Sequence, residues 1–189
     1  YVYSGKTAAH AYNLLLGKKF KTVVIISPSH SEYFPGICVF EGDAYETPLG
    51  LLKVDKELRE NLVTNDNVIF KGYEGHRREH ALEVQLPFLQ SVLQDFKIVP
   101  VVMGDQSKRN IDALAKKLAE LADDETLIVA SSDLSHFYSK SQADKLDSVV
   151  EKRVREFDFD SLQFDLENHA CEACGGGPIV TLMKAANLK

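Results

Sequence analysis

Six residues carry most of the chemistry this sequence offers: His30, Glu79, His80, Asp133, His136 and Cys174. His30 stands two residues past Pro28, at the end of the run Thr22-Val23-Val24-Ile25-Ile26. His136 leaves a second such run, Thr126-Leu127-Ile128-Val129-Ala130, through Ser131-Ser132-Asp133-Leu134-Ser135. Imidazoles at strand ends suit a metal such as iron, copper or zinc, or general acid–base work. Asp133, three residues before His136, is placed to orient it by hydrogen bond. Either histidine alone could simply satisfy a loop carbonyl. Two of them at equivalent strand ends favour a functional role.

Three further clusters compete with this pair. His76-Arg77-Arg78-Glu79-His80 matches the H-x-x-E-H pattern of inverted zinc peptidases, in which both histidines bind zinc and the glutamate is the base. That chemistry needs all three on one continuous helix, and Gly72 and Gly75 directly upstream place His76 in a solvated turn instead. His80 and Glu83, three apart on a predicted helix face, serve either proton transfer or structural hydrogen bonding. Cys171-Glu172-Ala173-Cys174 is a lone C-x-x-C, enough for redox chemistry or half a zinc site. Cys174 is the better ligand or reactive group, because it lies just ahead of a helix N-terminus, whose dipole favours thiolate. Gly175-Gly176-Gly177 could cradle a phosphate, but it lacks the Walker lysine and the dinucleotide spacing. Close backbone approach is its expected use.

Elements must position these groups. The two β-branched or aliphatic runs read as strands buried on both faces, and ligands in α/β folds gather at strand C-terminal ends. Ser4 caps a predicted helix over residues 6–16, with an Ala8, Ala11, Leu15 stripe and Gly17 as its stop. Residues 31–48 read as a long loop with a short strand at 37–40, in which Cys38 is a small core residue. Asp55 caps a short helix through Val63, and 67–70 is a strand. A long helix over 77–94 is expected, with Leu82, Leu86, Leu89 and Leu93 inward and a kink at Pro87. A strand at 97–103 precedes a helix with Ile111, Leu114, Leu118 and Leu121 inward, capped by Ser107 or Asn110. A charged helix over 141–157 turns Leu146, Val149, Val150 and Val154 inward. A short helix or turn around 159–166 follows, then a final helix from Pro178. Strands alternating with helices imply a mostly parallel sheet covered on both faces.

The chain has 189 residues, 44% hydrophobic and 26% charged, as expected of one globular domain, here 1–189. Its net charge of −6 argues against a nucleic-acid or anionic-membrane binder. No apolar run approaches the roughly 20 residues of a membrane span. Three cysteines do not form a disulfide framework, and no secretory leader is legible, so a cytoplasmic setting is expected. The first residue, Tyr1, enters a helical pattern almost at once and Lys189 closes another, so both ends read as cuts through a longer chain.

Five segments together resemble the MEMO family. They are Tyr1-Val2-Tyr3-Ser4-Gly5 with Ala8-Ala9-His10-Ala11-Tyr12; Ser27-Pro28-Ser29-His30; Glu79-His80-Ala81-Leu82-Glu83-Val84-Gln85-Leu86-Pro87-Phe88; Ser131-Ser132-Asp133-Leu134-Ser135-His136; and Cys174-Gly175 with Pro178-Ile179. The family is similar to class III extradiol ring-cleavage dioxygenases, and its bacterial and archaeal members are called protein B of the AmmeMemoRadiSam system. The resemblance implies a three-layer α/β sandwich and non-haem iron or copper, with zinc as a further option. It implies His30 and Cys174 as metal ligands and His136 as acid–base group, with Asp133, Glu79 and His80 lining the same pocket. The remaining histidine ligand belongs to a Pro-His-Ala-Gly-Tyr motif whose tyrosine is Tyr1, three positions before this sequence starts. A thiolate where extradiol enzymes hold a carboxylate favours softer metals and can itself be oxidised, so ring cleavage does not follow from the fold. The expected activity is therefore oxidoreductase-like with an unassigned small-molecule substrate. A non-catalytic peptide-binding pocket is the alternative and a zinc peptidase the third reading. Radical-SAM and AMMECR-type proteins are the partners the resemblance implies.

Overall fold

A computed structural model describes all residues, Tyr1–Lys189. Its centre is β1 (Thr22–Pro28), every residue of which is buried, as five β-branched residues in a row require of a strand covered on both faces. β1 lies between β6 (Lys97–Met103) and β7 (Thr126–Ala130), parallel to both, and the full order is β5-β2-β6-β1-β7. β2 (Ile37–Phe40) runs antiparallel to β6 and parallel to β5 (Ile69–Gly72). Three of the four ladders are thus parallel.

Alternation along β1 divides the core. Val24 and Ile26 face one layer with α4 (Lys108–Leu121) and α7 (Gly176–Leu188), where Leu114, Leu118, Val180 and Met183 pack. The same layer carries α2 (Lys56–Leu62), α5 (Lys140–Arg155) and α6 (Phe159–Glu167). Val23 and Ile25 face the opposite layer of α1 (Gly5–Asn13) and α3 (Leu86–Val92), with Tyr12, Leu86 and Leu89. The result is the expected three-layer α/β sandwich. No helix is long and apolar enough to cross a membrane.

Local signals hold at several ends. Asp55 accepts the Leu58 N–H at the start of α2, and Gly17 has φ +76, the left-handed turn that glycine allows. Ser4 and Ser107 stand at the N-caps of α1 and α4 without a side-chain cap bond, and three further expectations fail. The loop over 31–48 contains β3 (Ala44–Thr47), which pairs with β4 (Gly50–Lys53) as a hairpin outside the main sheet. Val154 of α5 is exposed rather than inward. The long helix over 77–94 does not form either. Residues 76–82 are irregular, a single 3₁₀ turn covers Glu83–Gln85, and α3 starts only at Leu86. Pro87 sits in the first turn of α3, where a missing N–H costs no helical hydrogen bond, so it belongs to the start of that helix and not to the interior of a longer one. The four leucines of the predicted stripe are still buried.

Candidate functional site

Three parallel strands end on one rim. Past β1 comes His30, past β6 come Asp105 and Gln106, and past β7 come Ser131 to His136. This is the edge on which parallel sheets place their ligands.

His30 is held by Glu79. Its Nδ1 lies 3.0 Å from Glu79 Oε1, and its backbone N–H donates to Oε2. Oε1 also accepts the N–H groups of His80 and Ala81, both at 2.9 Å. Burial alone would raise the Glu79 carboxyl. The hydrogen bonds from His30 and Ala81 outweigh it and hold the group below the usual carboxylate range. The tautomer with its proton on Nδ1 donates to that carboxylate and leaves the Nε2 lone pair free. A carboxylate behind a histidine is the arrangement that presents Nε2 to a metal.

Cys174 is fixed from the other side. Its Sγ accepts the Asp133 N–H at 3.1 Å, and its own N–H donates to Asp133 O at 3.1 Å. Gly175 N–H donates to Ser132 Oγ at 2.9 Å, and Tyr138 OH donates to Glu172 Oε1 at 2.6 Å. The loop after β7 and the loop before α7 are therefore stitched together. Glycine is required there, since a Cβ on Gly175 would lie 2.1 Å from Ser131 O. The glycine N–H groups are all engaged, by Ser132 Oγ, Ala173 O and Gln106 Oε1, so the run serves close approach and not a phosphate. Gln106 was not legible as a site residue, yet its Nε2 also donates to Cys174 O at 2.9 Å. Its only sequence signal is its position just past β6.

His136 and Cys174 share a cavity of about 420 Å³ with His169, Glu172 and an apolar back of Leu134, Leu166 and Val180. His136 Nε2 lies 3.5 Å from Asp133 Oδ2, an ion-pair distance longer than a good hydrogen bond. His169, with φ +55, also lines this cavity, and its one sequence signal is its place two residues before the C-x-x-C. The Ser135 hydroxyl beside His136 is buried without a partner. Cys171 belongs to the core, and burial pushes its thiol up to about 11, so the C-x-x-C does not act as a pair.

The peptidase geometry is absent. His76 is not solvated: Tyr45 OH lies 2.9 Å from its Nδ1 and Cys38 O 3.3 Å from its Nε2, and burial lowers it to about 4. Glu79 serves His30, while His80 is exposed and pairs with Glu83 at 2.7 Å. With no helix through 76–80, the three residues do not converge. His80 and Glu83 do interact, but not on a helix.

Sequence comparison decides the family. A profile described as Memo-like protein matches residues 1–189. The chain belongs to the Memo-like protein family. It is 38% identical to a MEMO1 family protein of Methanobrevibacter smithii over 96% of this chain and 66% of that protein. Against MEMO1 family proteins of Thermoplasma volcanium and Nitrosopumilus maritimus the identities are 37% and 34%, over 68% of each relative. This Memo-like chain thus spans about two thirds of the length of the curated relatives it matches.

The donor chemistry of this Memo-like chain fits the metal that the resemblance implies. His30 offers a lone-pair Nε2 backed by Glu79, and Cys174 offers a sulfur already taking a backbone N–H. These are two donors, and no three His, Cys, Asp or Glu side chains are grouped to hold an ion among themselves.

Proposed function

We propose that the rim of this Memo-like protein is a non-haem metal site with oxidoreductase-like chemistry, in which His30 and Cys174 are ligands. The observation that carries it is the His30–Glu79 pair, because a buried ionised carboxylate on Nδ1 leaves Nε2 to coordinate. Iron or copper would supply redox chemistry toward oxygen or a small reductant. Zinc would supply only Lewis acidity. The chain's own residues do the rest. Glu79 fixes the ring plane of His30. Asp133 and Gln106 fix the Cys174 backbone. His136, in the adjoining cavity, takes or gives a proton at a bound small molecule, and the apolar back excludes water from one side of it. Three unpaired cysteines suit a reducing cytoplasm.

Metal analysis of the protein lengthened upstream to include the Pro-His-Ala-Gly motif tests this. Near-stoichiometric iron or copper, lost in both His30→Ala and Cys174→Ser, supports it. A thiolate-to-metal charge-transfer band in the metal-loaded unmodified protein would assign the sulfur as a ligand. Metal content indifferent to both changes overturns the ligand assignment and favours a pocket that binds without turnover.

A further inference from the structure

The cavity beside Cys174 is lined by two carboxylates, Glu167 and Glu172, and by no lysine or arginine. Each carboxylate accepts one hydrogen bond from a neutral donor, Gln163 Nε2 at 2.8 Å and Tyr138 OH at 2.6 Å, and neither forms an ion pair. Lys184 reaches Gln163 without lining the cavity, and its ammonium is paired with Asp112 at 2.7 Å. His136 already faces the Asp133 carboxylate. An entering anion is poorly served by the backbone too. The N-terminus of α7 is the usual place for one, but the N–H groups of Gly175, Gly176 and Gly177 are all taken by protein acceptors. Gln106 Nε2 is spent on Cys174 O.

We propose that the small molecule this cavity takes is an organic amine, a cationic head on an apolar body. The proposal rests on the reading of the rim as a small-molecule site, and not on which metal it holds. Ile111, Leu166 and Val180 give the body an apolar wall, and a volume of about 420 Å³ lies within the range of small-molecule pockets. Glu167 and Glu172 each use one oxygen on the protein and keep the other for an ammonium. Glu172 stands two residues before Cys174, and its partner Tyr138 stands two residues after His136. The bond between them therefore keeps a head-group anchor close to the proposed ligand sulfur and proton carrier.

Phe137 favours the same charge. Its side chain is fully exposed, its φ is +64, and its ring centroid lies 6.0 Å from that of His136. A bulky residue seldom adopts this backbone, and such strain collects at ligand clamps. A free aromatic face beside the cavity adds cation–π attraction for an ammonium and none for an anion. The carboxylates select by repulsion as well. An acid of the same shape would give up its water here without gaining a partner.

Ligand-observed NMR titration of the same lengthened protein tests this at neutral pH, before and after chelation of its metal. The probes share one shape and differ in charge: 2-phenylethylamine, 2-phenylethanol and 3-phenylpropionate. The amine should bind about tenfold or more tightly than the acid, with the alcohol between them. Glu167→Gln and Glu172→Gln keep an acceptor oxygen for Gln163 and Tyr138, and each should erase about three- to fivefold of that preference. Equal binding of amine and acid, a preference for the acid, a preference untouched by both substitutions, or binding of no probe would each overturn the proposal. Metal content read on the same samples keeps the two readings apart. A preference that persists without metal upholds the amine site even where the ligand assignment fails, and bound metal without the preference overturns the amine site alone.

Discussion

Glu79 receives four N–H groups with one carboxylate: the ring and backbone of His30 and the backbones of His80 and Ala81. In Glu79→Gln an amide NH₂ faces those donors, so the variant should lose about 2 kcal/mol at pH 7, read by urea unfolding. The pH sign follows from its lowered ionisation. Its contribution is present above the unfolded carboxylate value of about 4.3 and fades as pH falls through the folded one. The curves of the two proteins should therefore converge as pH falls through the lowered folded value of the carboxyl. His76 acts in a different window. It is neutral when folded, with its value lowered from 6.5 to about 4, so the unfolded chain binds the extra proton between those limits. Stability should fall as pH drops from 6.5 to about 4, and His76→Gln should weaken that fall by about 2 kcal/mol. Thermal unfolding followed across the range measures it. At this scale the sequence was informative about type and poor about partner. Cys174 and Cys171 could be told apart by the helix that follows. The half-buried Tyr45 partner of His76 could not be foreseen, because the hairpin carrying it comes from a segment of glycines and prolines with no clear alternation.

Elements decide whether those side chains meet. β1, β6 and β7 were legible because runs of β-branched and aliphatic residues admit little else, and their parallel pairing brought His30 and Ser131–His136 to one rim. The region over 76–85 was misread because leucines at helical spacing also suit an irregular segment that is pinned to the core at the same points. Glu79, folded back onto His30, and Gln85, bonded to Ser131 and Tyr12, take the place of helical hydrogen bonds there. The loop before α7 is tighter still. Gly175→Ala sets a Cβ 2.1 Å from Ser131 O, and backbone at both ends leaves little to give. That change should cost about 1–3 kcal/mol and separate Cys174 from Asp133. Chemical denaturation checks the first, and faster alkylation of the Cys174 thiol checks the second.

The whole molecule is two cores divided by one sheet. Leu114 packs in the α4–α7 layer and Leu89 in the α1–α3 layer, both fully buried. Each change to alanine should cost about 2–5 kcal/mol, and the double variant should equal the sum within about 0.5 kcal/mol, because the sites share no partner. A coupling larger than that, measured by a double-mutant cycle in urea, would show that the sheet transmits strain between its faces. The three-layer class was readable from alternating strand and helix patterns. The antiparallel entry of β2 and the small hairpin were not, since pairing direction is set by partners far along the chain.

The bracket between Asp133 and Cys174 also closes the base of a long excursion, the forty residues that hold α5 and α6. α5 buries only Val150, and the excursion's outer bend lies at exposed Phe157 with φ +56. An insertion at that bend lengthens a loop whose ends are already tied, and each doubling of loop length costs only about 0.6 kcal/mol. Phe157 is therefore the place to graft a fluorophore, an affinity tag or a tether while the bracket between Asp133 and Cys174 stays intact.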